Sequence, residues 1–335
     1  VDVYQKYVKD LLQPKVKMPT TIGYGNGYQI SYMNSGKMTN KGWEFRVDAV
    51  PFQNKDWRVG VYFNIAHNEN KITEMPDNYI EENYTFGNGN YAYRREEGRP
   101  MGSFYGYRYK GVYQNKDATY ARDIEGNVMK DISGNAIVMR NGSYTVAPGD
   151  AIYEDVNHDG VINQYDIVYL GNSNPRLTGG AGLNVSYKQF KLSAIFYGRY
   201  GQDVVNATRL NNESMRGIDN QSTAVLRRWR NEGDQTDIPR ALYGEGYNTL
   251  GSDRFVEDAS YLRLKSLSFT YRLPKKAIQR WGFNNIDVYV TGYNLFTWTK
   301  YTGQDPEVKT ENTYARDTAT TPASIQLVAG FNLSF

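Results

Sequence analysis

The 335 residues include no cysteine, and 39 Lys+Arg stand against 36 Asp+Glu, a formal net charge of +3. This excludes a disulfide framework, a thiolate metal site and a thiol nucleophile. The near-balanced charge argues against a nucleic-acid binder, whose phosphate contacts need a concentrated basic surface. With 30 Tyr, 13 Phe and 5 Trp the chain is too aromatic for disorder, and no apolar run approaches the ~18 residues of a membrane helix. A membrane wall built of strands passes this filter. It turns only every second residue to lipid, so its composition looks soluble, and Tyr suits the membrane interface. The competing class is a soluble extracellular all-β module that binds glycans.

Residues 1–29 show no strong period and end in the loop-forming run Gly23-Tyr24-Gly25-Asn26-Gly27. A weak strand is expected at 29–37. Trp43, Phe45, Val47 and Ala49 then alternate with Glu44, Arg46 and Asp48, and after a short turn Val59, Val61, Phe63 and Ile65 alternate with Arg58, Gly60, Tyr62 and Asn64. Two period-2 runs and a tight turn predict an antiparallel hairpin. A second hairpin is predicted by Ala181, Leu183, Val185 and Tyr187, turning through Lys188-Gln189 into Phe190, Leu192, Ala194 and Phe196. Further strands are expected at 104–113, 261–273, 286–298 and 325–335, about nine or ten in all, with helical turns at 275–281 and 222–231. The last run alternates Ile325, Leu327, Ala329, Phe331, Leu333 and Phe335 with mostly polar residues, similar to the terminal strand by which outer-membrane barrels are identified for assembly.

The connections fall into two sizes. Those at 51–56 and 188–189 are short, whereas 69–101, 114–176, 201–259 and 300–322 are long and polar. Short turns on one side and long loops on the other are the plan of an outer-membrane barrel, and a soluble sandwich rarely carries four loops of that length.

Gly42-Trp43-Glu44-Phe45, Asp155-Val156-Asn157-His158-Asp159-Gly160 and Gly171-Asn172-Ser173-Asn174-Pro175 occur in an order that carries a resemblance. Phe255-Val256-Glu257-Asp258-Ala259-Ser260-Tyr261-Leu262-Arg263-Leu264-Lys265 and Tyr293-Asn294-Leu295-Phe296-Thr297-Trp298 extend it. Together, from about Gly42 to Phe335, the chain resembles the C-terminal part of the SusC/RagA-type TonB-dependent transporters of Bacteroidetes outer membranes. The resemblance implies an all-β fold, an antiparallel transmembrane β-barrel of 22 strands around a plug, of which this chain supplies the C-terminal portion. Residues 1–41 are then an entry region and 42–335 the barrel portion, with Glu44, Arg46, Asp48, Arg58, Tyr62 and Asn64 facing the lumen. It also implies import of an oligosaccharide or peptide, a SusD-like surface lipoprotein as lid, and energy from the TonB complex through a plug upstream of this chain. No covalent chemistry is implied, and no acid–base pair or nucleophile stands out.

In the long loops, Asp155, Asn157, Asp159, Val161, Asn163 and Asp166 match most of a calcium loop, with Gly160 at the sharp turn and Asp in place of the usual final Glu. The same residues are ordinary turn formers, so a Ca2+ that orders the loop and an ion-free turn both fit. His67 and His158 have no ligand-spaced partner. Arg94-Arg95-Glu96-Glu97 and Arg227-Arg228-Trp229-Arg230 read as solvated charge clusters, although Arg228 and Trp229 are also the candidates for ligand contact.

Overall fold

A computed structural model describes residues 1–17, 29–34, 36–75, 89–92, 95–311 and 314–335. The 23–27 run and Arg94 lie outside these residues. Among them, no helix is long and apolar enough to cross a membrane, which says nothing about strands.

Eight strands form one antiparallel sheet in which sequence neighbours are spatial neighbours. They are β1 (Asp2–Lys9), β2 (Lys37–Gln53), β3 (Trp57–Glu74) and β4 (Leu177–Tyr187), followed by β5 (Phe190–Tyr200), β6 (Tyr261–Arg272), β7 (Asn285–Thr299) and β8 (Gln326–Ser334). The strands from β2 to β7 have the 11 residues or more that a tilted strand needs to cross a bilayer.

Register separates the two faces, because residues paired across antiparallel strands point the same way. Val47 pairs with Phe63, Phe63 with Ala181, Ala181 with Phe196 and Phe196 with Leu264. A row nearer the short turns runs Val59, Val185, Leu192, Phe269, Val290 and Ala329. One face is therefore apolar from β2 to β8. The other carries Arg46 opposite Asn64, Asp48 opposite Tyr62, and the row Gly60, Asn184, Ser193, Ser268 and Thr291. Glu44, Arg46, Asp48, Arg58, Tyr62 and Asn64 all lie on this polar face.

Aromatic side chains bound the apolar band at both ends. Trp57 packs on Tyr187 at 4.3 Å and Phe190 on Tyr271 at 4.9 Å near the short turns. Trp43 beside His67, and Trp298 beside Phe296 and Phe196, stand near the long loops. From Trp57 to His67 is ten residues, roughly 34 Å along the strand. At a tilt of ~40° that is about 26 Å of height, the apolar thickness of an outer-membrane barrel.

The short turns follow from local chemistry. Asn54 Oδ1 accepts from the backbone N–H groups of Asp56 and Trp57 at 2.9 and 2.8 Å, an Asx turn. Lys188 takes a φ of 50° to close the second hairpin. Between β6 and β7 a helix (α1, Lys275–Ile278) and a 3-10 turn, Gln279–Trp281, end at Gly282 with a φ of 78°, as the sequence predicts. The other predicted helical stretch contains a 3-10 turn, Thr223–Arg227, capped by the Ser222 hydroxyl.

Four expectations change. The sheet holds eight strands among the described residues, rather than nine or ten. The 104–113 run leaves the sheet: its halves, Ser103–Gly106 and Tyr109–Val112, pair with Val168–Asn172 and Ala151–Tyr153 inside the loops. All of residues 103–107 are buried, so this run faces protein on both sides and its apolar character is that of a core. The boundary at 41/42 falls inside β2, where Lys41 pairs with Gln5 of a strand in the supposedly patternless entry region. The weak strand expected at 29–37 is partly a loop hairpin, Gln29–Asn34 against Leu12–Lys17, and partly the start of β2.

Candidate functional site

On the polar face two glycines let tyrosine rings lie flat on the wall. A Cβ on Gly182 would sit 1.9 Å from the Tyr62 ring, and one on Gly330 2.7 Å from the Tyr289 hydroxyl. These rings cover the backbone on the side opposite the apolar band.

Toward the long loops, Tyr261, Arg263 and Lys265 face inward while Leu262 and Leu264 face outward, which accounts for the alternation in that motif. Arg263 is only 2% exposed. Its Nε donates to Thr297 Oγ1 at 2.9 Å, Nη1 to Glu307 Oε2 at 2.9 Å and Nη2 to Asp305 Oδ1 at 2.5 Å, while Lys265 Nζ donates to Glu307 at 2.9 Å. Burial raises the Asp305 carboxyl, but the backbone N–H groups of Ala323 and Glu307 and the Arg263 guanidinium outweigh it and hold the carboxyl below the usual range. Arg263 thus clamps the 300–325 segment onto the polar face. The sequence offered a sign of it in the alternating Tyr-Leu-Arg-Leu-Lys run and the Asp305-Pro306-Glu307 acids, but their pairing spans 42 residues and no spacing reveals it. Beyond β7's Phe296 the ladder to β6 is interrupted, with Asn294 at a φ of 52° inside the bulge, which explains an Asn at that place in the Tyr-Asn-Leu-Phe motif.

Beside this clamp lies a cavity of about 870 Å³ between β5 and the 300–325 segment. Arg199, Lys309 and Arg316 line it together with Asp305, Glu307 and Asp317.

The described residues of the connections 75–176 and 201–260 fold together as a cap. Its core contains Tyr105, Tyr107, Tyr113, Tyr153, Tyr247, Ile162 and Met139. Burying each such ring contributes about 1.5–3 kcal/mol. Burial pushes the Tyr113 phenol up to about 12 and raises those of Tyr153 and Tyr247 well above the ordinary phenol value. Among the described residues one ion pair crosses between the two connections: Asp150, with no exposed surface, accepts from Arg240 Nε at 2.7 Å, Tyr144 OH at 2.7 Å and Asn248 Nδ2 at 3.3 Å. Part of the Tyr enrichment read from sequence as an interface signature builds this cap core.

The calcium-like run is a tight turn in the cap. Asp155 accepts from the N–H groups of Asp159 and Gly160, Asp159 Oδ1 from that of Val161, and His158 has a φ of 55°. Asp166 is fully buried and closes a capping box with Asn163, and burial raises its carboxyl. Asn157 Nδ2 and Asn163 Nδ2 both donate to Asp159 Oδ2, at 2.9 and 3.5 Å, and Asn163 Nδ2 also donates to the Val161 carbonyl at 3.0 Å. Among the described residues no three His, Asp or Glu side chains converge as ligands.

Trp229 is buried, with its ring against Gly149, where a Cβ would sit 2.2 Å away. Arg228 donates to the Val225 carbonyl at 3.3 Å on the turn below it. The structure places both in the cap fabric, far from the Arg263 clamp in the chain. Glu96 accepts from Tyr105 OH and Glu97 from the Met75 N–H, both at 2.7 Å. His67 Nδ1 lies 2.6 Å from the Arg176 carbonyl and His158 Nδ1 3.3 Å from that of Arg122.

An antiparallel sheet with one continuous apolar face, aromatic borders and a loop cap at one end defines a segment of β-barrel wall of the outer-membrane kind. No protein-family model matches the chain. Among curated proteins it is 32% identical to the TonB-dependent receptor P3 of Formosa agariphila over 318 residues, 93% of this chain and 29% of that protein. It is 28% identical to the TonB-dependent receptor SusC of Bacteroides thetaiotaomicron over 344 aligned residues, 100% of this chain and 30% of that protein. A structure of the RagAB peptide transporter superposes on 99% of this chain and 33% of the matched chain, with a TM-score of 0.69 at 28% identity. The RagAB peptide importer in its closed-closed state gives a TM-score of 0.70 at 27% identity. Over nearly its whole length the chain is therefore similar to part of the SusC/RagA-type TonB-dependent transporters, and it spans 29% to 33% of the length of the curated relatives it matches.

Proposed function

We propose that this chain is part of the barrel wall and loop cap of an outer-membrane importer that takes up a glycan or peptide nutrient. Its work is binding and passage, with no covalent change to the cargo. In this reading β1 and β8 continue into the remaining strands, since an open sheet edge is unstable in lipid. The polar face lines the lumen, the cap faces outward toward a SusD-like lipoprotein, and the TonB complex acts through a plug outside this chain. The observation that carries the reading is the rows of paired apolar residues that together span β2 to β8, backed by a polar face that the cap closes at one end. The test is fractionation of cells expressing the full-length protein, with uptake measured in the presence and absence of TonB. Recovery in the outer membrane with TonB-dependent uptake supports the proposal, and recovery in aqueous buffer without detergent sinks it.

Calcium at Asp155, Asn157, Asp159, Val161, Asn163 and Asp166 is a second, separable proposal. Its support is that the Asn157 and Asn163 amides meet at Asp159 and the Val161 carbonyl, where two amide flips would exchange donors for oxygen ligands. Calorimetric titration of the full-length protein with Ca2+ decides it: stoichiometric heat lost in Asp159→Ala supports it, and no heat refutes it.

A further inference from the structure

The 870 Å³ cavity at the rim of the polar face holds an asymmetry between its donors and its acceptors. Formally it balances, with Arg199, Lys309 and Arg316 against Asp305, Glu307 and Asp317. The three carboxylates, however, are already engaged. Asp305 accepts from Arg263 and from the backbone N–H groups of Glu307 and Ala323, both at 2.9 Å. Glu307 accepts from Arg263 and Lys265. Asp317 accepts from Tyr301 OH at 2.7 Å and the Ala319 N–H at 2.9 Å.

The cations are not. Among the described residues Arg316 has no ion pair, and its Nε is buried with no hydrogen-bond partner. Arg199 donates from Nε to Tyr197 OH at 3.2 Å, lies 5.9 Å above that ring, and has no carboxylate partner among the described residues. Lys309 is exposed and likewise unpaired there. A buried guanidinium nitrogen left without an acceptor costs free energy comparable to a lost hydrogen bond, and more because it is charged. The cavity is therefore short of acceptors, and an oxyanion with two oxygens in one plane is the group whose geometry matches a guanidinium fork.

We infer that this cavity is a subsite for a carboxylate group on the transported molecule, held by Arg316 and Arg199 with Lys309 at its mouth. The inference rests on the importer reading, because only there does the polar face meet cargo. It names the substrate chemistry: a carboxylate-bearing oligomer, from either a peptide terminus or a uronic acid.

The test uses the full-length receptor in detergent and two probe pairs, trialanine against trialanine amide and digalacturonic acid against neutral digalactose, with affinity read by calorimetry. The expected result is that one acid probe binds about tenfold or more tighter than its neutral partner. The pair that responds identifies the source of the carboxylate. Arg316→Gln and Arg199→Gln should each reduce that preference while leaving the neutral partner's affinity unchanged. If Arg316→Gln does not fold, Lys309→Gln on the exposed segment should still weaken the acid probe, and salt should weaken it in the parent protein. Equal binding within both pairs, no binding of any probe, or a preference that survives all the substitutions overturns the inference. So does a lowered melting temperature in Arg316→Gln with acid-probe affinity intact, which would assign the missing acceptor to another part of the barrel. These outcomes leave the importer reading standing, since that falls only on the fractionation and uptake results.

Discussion

In the wall, a side chain's neighbours are set by register: Phe63 meets Val47 on one side and Ala181 on the other, and its far side is left for lipid. In the cap, Tyr153 meets Tyr107 and Tyr109, 46 and 44 residues away, and Tyr247, 94 residues away. Wall strands are held by backbone ladders whose apolar residues remain exposed on the isolated sheet, as Phe331 at 68% and Leu327 at 75% illustrate. Cap segments have little ladder and depend on a ring core plus buried ion pairs. A membrane supplies the wall with an apolar solvent, so the wall needs no interior of its own. The cap, bathed in water, must make one, and tyrosine lets it bury ring area while its hydroxyl still finds a partner.

This contrast can be broken at several points. The largest effect is expected from Asp150→Ala, which strands Arg240 and removes the acceptor for Tyr144 and Asn248. Breaking such a buried pair costs about 3–5 kcal/mol, and limited proteolysis should show cutting in 103–172 and 201–258 while the wall stays protected. Next is Leu183→Arg, which puts a cation at mid-height of the apolar face and costs about 2–4 kcal/mol. Denaturant unfolding in lipid vesicles should register the loss, whereas Asn184→Arg, one residue on and facing inward, should leave stability near that of the parent. If the two substitutions behave alike, the assignment of faces is wrong.

Gly149→Ala comes third. Its φ is 87° and the new Cβ would meet the Trp229 ring, so a loss of about 1–3 kcal/mol should appear in the cap, read as a shift in Trp fluorescence on heating. The smallest effect concerns pH. Burial raises the Glu257 carboxyl, but hydrogen bonds from Thr302 and the charge and hydrogen bond of Arg209 outweigh it and depress the carboxyl below its ordinary 4.5. A depressed carboxylate contributes stability that is fully present above the unfolded value and is lost as pH falls through the folded one. Proteolytic protection of the cap rim should therefore weaken as pH drops below about 4.5, and Glu257→Gln should flatten that dependence. An unchanged profile in the variant would remove Glu257 from the account.

The wall was largely legible because its physics is local. Alternation at 43–49, 59–65 and 181–196 reports two solvents on two faces, and the Asn54 and Lys188 turns are short enough to read. β1 was missed because its alternation is broken: Gln5 and Lys9 stand in the same row as Val3 and Tyr7. The run at 104–113 was misplaced because apolar residues packed on both sides give the same letters in a loop core as in a wall. The clamp at Arg263 and the acceptor-poor cavity were hidden for a different reason: each joins residues from strands and loops far apart in the chain. Trp229 and Arg228 looked available in sequence, yet only packing shows the Trp229 ring lying on Gly149.

By itself the sequence determined the all-β class, the two-faced strands, the absence of thiol chemistry and the family resemblance. All of these are properties of composition, of a two-residue period, or of short motifs. Tertiary structure alone decided which aromatic residues face lipid and which build a core, which acids are already satisfied, and which cations are left wanting an acceptor. Those are facts about distance between segments, and a chain's order in sequence does not carry them.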